Sequence, residues 1–144
     1  MGRKDEALSM FKSGANCAQA VLCSFADDLA LERSVAKRIS AGFGAGMGRM
    51  AGTCGAVTGA FMLLGMRHGS NAADQKESKE RVYGLVREFA ARFTEKNGSL
   101  LCRELLGCDL SSPNGMKEAQ ARNLFATRCE RLVKDSVEIV EKML

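Results

Sequence analysis

A glycine-rich stretch, residues 42–69, restricts how this chain can fold more than any other feature. It contains nine of the 15 glycines, and glycine occupies every second position from 42 to 48. Alternating glycines suit a backbone that turns tightly or that another segment approaches closely. Residues 50–66 carry no charged side chain, which predicts a buried helix.

Cys54 stands near the start of that predicted helix, directly after Thr53. Threonine is a common N-cap residue, so the sequence predicts that Thr53 caps the helix and that Cys54 lies in its first turn. The positive end of the helix dipole would there favour a thiolate over a thiol.

Length and composition predict one globular domain, 1–144. Apolar residues make up 46% of the chain and charged residues 26%, an ordinary balance for a folded protein. The net charge of +4 comes from basic residues interspersed with acidic ones, and aromatic residues are only 6%, with no tryptophan. This pattern argues against nucleic-acid binding, which favours basic stripes and stacking aromatics.

The sequence also predicts a cytoplasmic protein with no membrane span. The charged N-terminus lacks the apolar segment of a signal peptide, and the uncharged run 50–66 is slightly short for a bilayer. Six cysteines in a reducing compartment indicate redox chemistry or metal binding more often than structural disulfides.

Apolar residues recur at helical spacing through most of the chain, and no stretch alternates as a strand would. The predicted fold is therefore all-α, a single compact domain of six or seven helices around the central apolar, glycine-rich helix. The expected helices cover residues 3–13, 17–29, 32–41, 53–65, 75–96, 99–106 and 116–143, with a surface loop at 109–115.

Cys17 and Cys54 share one local pattern. Each follows a capping residue, precedes a small residue and begins an apolar helix. A buried cysteine can be a simple packing residue, but two cysteines at helix starts favour a chemical role.

The other four cysteines differ in their expected surroundings. Cys102 lies in the first turn of a short predicted helix, and Cys129 lies on the apolar stripe of the last one. Cys23 and Cys108 are interpreted as incidental, although Cys108 follows Gly107 in or beside a loop that can move. The chain has no CxxC motif, a single histidine and no GxxxxGK[ST] phosphate loop.

Taken together, these segments resemble the C_GCAxxG_C_C family, whose members are described as redox-active. The resemblance rests on an ordered set of segments: 16–21 for the upstream cysteine, 42–50 for the glycine run, 54–59 for the CGAxxG motif, 102–107 for the third cysteine and 129–133 for the fourth. It implies that Cys17, Cys54, Cys102 and Cys129 form a shared set. The family is also similar to a domain of certain haem proteins that carry an iron–sulfur cluster.

Three functions remain open at this stage. The first is a thiol redox protein, compatible with a thiol oxidoreductase, in which Cys54 attacks and Cys17, Cys102 or Cys129 resolves the disulfide. The second is a zinc or iron–sulfur site held by the same four thiolates. The third is a helical partner-binding domain whose cysteines only pack.

The two chemical hypotheses predict that the four thiols converge on one pocket walled by glycine. Residues expected to line a bound cofactor there are Gly52, Thr53, Gly55 and Gly59. The sequence identifies neither the redox partner nor a homo-oligomer.

Overall fold

The computed structural model describes residues 2–144, and these residues form eight α-helices. They are α1 (Arg3–Lys12), α2 (Cys17–Ser24), α3 (Arg33–Ser40), α4 (Gly55–His68), α5 (Lys76–Asn97), α6 (Cys102–Leu106), α7 (Pro113–Ala121) and α8 (Glu130–Glu141). A π-helical turn, Phe125–Cys129, runs directly into α8, and 3-10 turns cover Asp27–Leu29 and Ala41–Phe43. No strand forms within residues 2–144, so the all-α prediction is confirmed.

The extra helix comes from the segment expected to be a loop followed by one long helix. Pro113 stands at the first position of α7, where its missing N–H costs nothing, and the Ser112 hydroxyl accepts a hydrogen bond from the Gly115 N–H at 2.9 Å. The long helix predicted for 116–143 is interrupted because Asn123 adopts a left-handed φ of 55°.

Helix α4 occupies the centre, as predicted. Its residues Ala60, Leu63 and Leu64 are completely buried, and α2, α5 and α8 pack around it. A buried hydrogen bond of 2.7 Å from the Ser136 hydroxyl to the Ala56 carbonyl joins α8 to the first turn of α4. No helix in the described part of the chain combines the length and apolar character that a bilayer span requires.

Two glycines of α4 let it approach α2 closely. A Cβ on Gly59 would lie 2.9 Å from the Ala18 carbonyl oxygen and 3.2 Å from the Val21 Cβ. A Cβ on Gly55 would lie 2.4 Å from the Cys17 sulfur and 2.9 Å from the Phe43 carbonyl oxygen. The four-residue spacing of the glycines thus gives α4 a smooth face against α2.

The alternating glycines before α4 form one turn of left-handed helix. Five consecutive residues, 45–49, have φ values of 54, 68, 66, 61 and 67°. Gly46 must be glycine, because a Cβ there would lie 2.5 Å from the Gly52 nitrogen. The non-glycine residues Ala45, Met47 and Arg49 each hold on the order of 1–2 kcal/mol of strain.

Buried side chains form two clusters. The main cluster joins α1, α2, α4, α5 and α8 and includes Phe89 and Phe93. The second cluster is smaller, and its buried members are Cys102, Leu106, Cys108, Leu110, Ala119 and Leu124. The junction between the clusters is where the cysteines gather.

We predict that Gly59→Ala destabilises the protein by about 1–3 kcal/mol, because the added methyl group pushes α4 away from α2. Gly65→Ala is the matched control in the same helix. A Cβ at Gly65 has no atom within 4 Å, so this substitution should stabilise by about 0.5–1 kcal/mol. Urea unfolding measures both, and equal effects of the two substitutions would contradict close packing at Gly59.

Candidate functional site

A cavity of about 580 Å³ lies at the junction of the two clusters. Four cysteines line it: Cys17, Cys54, Cys102 and Cys129. The main cluster contributes the first two, and the second cluster contributes Cys102 and packs against Cys129. All six cysteines are free thiols. The four residues that the sequence analysis grouped therefore face one space.

Cys17 is the first residue of α2, as predicted. A reciprocal pair of hydrogen bonds caps this helix: the Gln19 N–H donates to the Asn16 side chain, and the Asn16 N–H donates to the Gln19 side chain, both at 2.9 Å. The cap leaves the N–H groups of Cys17 and Ala18 directed at the Cys17 sulfur. Helix α2 thus presents its positive end to the cavity.

Cys54 is not in the first turn of its helix, so that prediction is wrong. Helix α4 begins at Gly55, Cys54 is its N-cap, and Thr53 caps nothing. Thr53 instead forms an isolated antiparallel bridge with Leu101, flanked by hydrogen bonds from the Cys54 N–H to the Leu100 carbonyl (2.8 Å) and from the Cys102 N–H to the Gly52 carbonyl (2.6 Å). Because side chains alternate along paired segments, Cys54 and Cys102 project to the same face of this bridge.

Cys129 ends the π-helical turn and is not in the regular helix expected for it. It is half-buried, and it packs against the second cluster. The neighbouring Arg128 side chain donates a 2.6 Å hydrogen bond to the Leu105 carbonyl, which fixes the turn against the end of α6. A π turn shifts the register of a helix, and here it brings Cys129 to the cavity as the fourth cysteine.

The Cys17 sulfur is the most strongly stabilised thiolate of the four. A hydrogen bond from the Cys54 thiol and three from backbone N–H groups, those of Ala45, Ala18 and Cys17, lower its pKa to about 7 against the opposing effect of burial. Ala45 belongs to the left-handed turn, which thereby places an N–H group over the sulfur. Ala45 was not among the site residues predicted from the sequence, although the alternating glycines around it indicated an unusual backbone there.

The pKa of Cys54 shifts in the opposite direction to the prediction. Its hydrogen bond to Cys17 and its burial raise the pKa of Cys54 well above the ordinary value. Burial, with smaller effects from neighbouring charges, also raises the pKa of Cys102 and that of Cys129 to about 12. At pH 7 about half of the Cys17 thiols are therefore ionised, whereas the other three cysteines stay protonated.

The residues expected to line a cofactor separate into two groups. Gly55 lines the cavity. Gly52 packs against the left-handed turn, Thr53 lies in the bridge to Leu101, and Gly59 lies in the interface between α4 and α2. The glycines at positions 52 and 59 therefore allow the close packing that brings the sulfurs together.

The two remaining cysteines lie outside the cavity walls. Cys23 lies in the main cluster, beside a small separate pocket that Met10 and Lys37 also line. Cys108 belongs to the second cluster together with Cys102. Cys23 is therefore remote from the thiol chemistry, whereas Cys108 is adjacent to it.

The cavity holds no assembled site for a single metal ion. Within residues 2–144, no three His, Cys, Asp or Glu side chains come close enough to share one ion. A zinc site with four sulfurs at about 2.3 Å would require the second cluster to move. The four cysteines around the cavity are the residues that could hold a cluster, whose usual ligands are four thiolates.

Comparison with known proteins gives one match. The family profile described as "Putative redox-active protein (C_GCAxxG_C_C)" matches residues 15–143, nearly the whole chain. No curated protein and no solved structure gives a significant match.

We predict that Cys54→Ala raises the pKa of Cys17 towards the ordinary thiol value of about 8.5, because it removes the largest stabilising contact of the thiolate. At pH 7 the thiolate fraction of Cys17 should fall from about half to a few per cent. The measurement is the rate of alkylation of Cys17 by iodoacetamide against pH, followed by mass spectrometry.

Cys54→Ser is the matched control, since a serine hydroxyl can still donate to the Cys17 sulfur. Its profile should keep a midpoint near pH 7. Identical profiles for the alanine and serine variants would show that the Cys54 thiol does not set the Cys17 pKa.

Proposed function

Because the chain belongs to the C_GCAxxG_C_C family of redox-active proteins, we propose that it catalyses thiol–disulfide exchange through Cys17 and Cys54. The observation that carries this proposal is the position of the Cys17 sulfur against the start of α4, where it would lie 2.4 Å from a Cβ on Gly55 and faces the same cavity as Cys54. The interaction of the two thiols lowers the pKa of Cys17 and raises that of Cys54. A thiolate beside a protonated thiol is the arrangement that a dithiol needs before it attacks a disulfide.

In the first step, the Cys17 thiolate attacks one sulfur of a partner disulfide. A bond forms between the Cys17 sulfur and that sulfur, the partner S–S bond breaks, and the partner leaves as a thiolate that takes up a proton. A pKa near 7 supports this role, because the best attacking thiol has a pKa close to ambient pH.

In the second step, Cys54 resolves the mixed disulfide. Once Cys17 carries no negative charge, the interaction that most raises the pKa of Cys54 is gone, so Cys54 loses its proton more easily. Its thiolate attacks the Cys17 sulfur, the Cys17–Cys54 disulfide forms, and the second partner thiol leaves with the proton. Overall, one partner disulfide is reduced to two thiols, and two cysteines of this chain are oxidised.

A second candidate function has a specific observation in its favour. Cys102 and Cys129 face the same cavity as the proposed pair, which a simple two-cysteine protein would not require. In this alternative the four thiolates hold an iron–sulfur cluster, which supplies one-electron transfer when bound. The N–H groups of Ala45, Ala18 and Ala56, which hydrogen-bond cysteine sulfurs, would tune its potential.

We predict that equilibration with mixtures of reduced and oxidised dithiothreitol forms a disulfide between tryptic fragments 13–33 and 50–67, which contain Cys17 and Cys54. The experiment uses Cys23→Ser protein, so that fragment 13–33 has one thiol. Adding Cys17→Ser should abolish the link. Mass spectrometry of the alkylated digest measures it.

The alternative is tested on the same protein by anaerobic reconstitution with iron and sulfide. Visible absorbance that disappears in Cys129→Ser, together with no Cys17–Cys54 disulfide at any potential, would replace thiol exchange by cluster binding. If neither the disulfide nor the absorbance develops, the cysteines only pack, and the partner-binding domain is the remaining function.

A further inference from the structure

Cys108 is the cysteine that the proposed exchange leaves without a role. It lies in the same small buried cluster as Cys102, and it is only 7% exposed. Its chain neighbours Gly107 and Asp109 are both exposed, so Cys108 lies just beneath the protein surface.

The end of α6 turns Cys108 back towards Cys102. Gly107 has a left-handed φ of 70°, and its N–H donates to the Arg103 carbonyl at 3.0 Å. After such a left-handed cap, the next residue often contacts the residue near the helix start, which here is Cys102. Cys108 also contributes, after burial and Cys17, to the raised pKa of Cys102.

Cys102 in turn lies next to the proposed redox pair. The Thr53–Leu101 bridge makes it the diagonal neighbour of Cys54, about 7–8 Å away between corresponding atoms in such pairs. Cys102 also contributes to the raised pKa of Cys54, after Cys17 and burial. Cys102 therefore faces the same cavity as the disulfide that Cys17 and Cys54 would form.

We propose that Cys102 and Cys108 form a second redox-active pair, which takes over the disulfide from Cys17 and Cys54. This inference rests on the proposed function. It assigns Cys108 to the reaction, in addition to the four cysteines of the family pattern.

The relay is balanced within the chain. The Cys102 sulfur attacks the Cys17–Cys54 disulfide, a mixed disulfide forms, and the displaced sulfur of the first pair takes the proton from Cys102. Cys108 then attacks the Cys102 sulfur, the Cys102–Cys108 disulfide forms, and the second sulfur of the first pair takes the proton from Cys108. The first pair gains two electrons and the second loses two, so no other reactant is needed.

The order of the two steps follows from the exchange itself, because Cys102 has no disulfide to attack until Cys17 and Cys54 have formed one. Burial keeps the second step slower than the first.

The test is oxidation with a limiting amount of diamide, quenched at increasing times and mapped by mass spectrometry. Trypsin cuts after Arg103, so a Cys102–Cys108 disulfide links fragments 97–103 and 104–117. The link between 13–33 and 50–67 should appear first and then decline while the 97–103 to 104–117 link grows. With excess oxidant, wild-type protein should lose about four thiols, and Cys108→Ser about two.

Cys23→Ser is the matched control, because Cys23 is buried to a similar extent, 6% exposed, but lies in the main cluster. It should lose about four thiols, as wild type does. Cys17→Ser should form the Cys102–Cys108 link at least tenfold more slowly, because its first pair cannot form.

Three outcomes would overturn the relay. In the first, the Cys17–Cys54 disulfide persists while Cys102 pairs with Cys129, in fragment 129–131. This result leaves the proposed function intact and shows that Cys108 takes no part in it. A Cys102–Cys108 link that forms equally fast in Cys17→Ser shows two independent pairs. Absence of the first link in wild type removes the proposed function and the relay together. The wild-type and Cys17→Ser maps together decide among these even if Cys108→Ser folds poorly.

Discussion

The approach of α2 to the start of α4 is the contact on which the site depends. It requires that Gly55 have no side chain, because a Cβ there would lie 2.4 Å from the Cys17 sulfur. Because Gly55 has no side chain, the N-terminus of α2 lies against the N-terminus of α4. The Cys17 sulfur of α2 then contacts the Cys54 thiol at the start of α4. The dipoles of both helices then act on one pair of thiols.

A strained segment completes the electrostatics of that pair. Residues 45–49 hold a left-handed turn that non-glycine residues would not adopt alone, and the turn delivers the Ala45 N–H to Cys17. Its geometry is enforced from outside by hydrogen bonds, among them one of 2.9 Å from the Gly52 N–H to the Gly46 carbonyl. The stability of the main cluster offsets this backbone strain, as is usual where a folded core holds a strained segment at a functional site.

The division of the buried residues into two clusters gives the site its asymmetry. The main cluster contains Cys54 and packs against Cys17, whereas the second cluster is small. The backbone bridge between Thr53 and Leu101 joins the two sides of the cavity. Two side-chain hydrogen bonds add to it, from Arg103 to the Ala51 carbonyl (3.1 Å) and from Arg128 to the Leu105 carbonyl (2.6 Å). Because its buried core is small, we expect the second cluster to be the less stable side of the cavity.

The sequence by itself determined the all-α fold and the central helix. These features follow from local rules: apolar spacing, the Asn16 cap and the four-residue interval between Gly55 and Gly59. The set of four cysteines came from the resemblance to the family pattern, and folding places all four at one cavity. Tertiary structure decided what local rules could not. Thr53 pairs with Leu101, 48 positions along the sequence, and so does not cap α4.

The order of the thiol pKa values was decided in the same way. From the sequence, Cys17 and Cys54 have the same local pattern at a helix start and would be expected to have similar pKa values. In the structure the lowest pKa belongs to Cys17, because Cys54 and Ala45 both donate to its sulfur. Those donors come from segments distant in the chain, so their effect exists only after folding brings them together. Local pattern placed the sulfurs near helix starts, and packing chose which of them carries the charge.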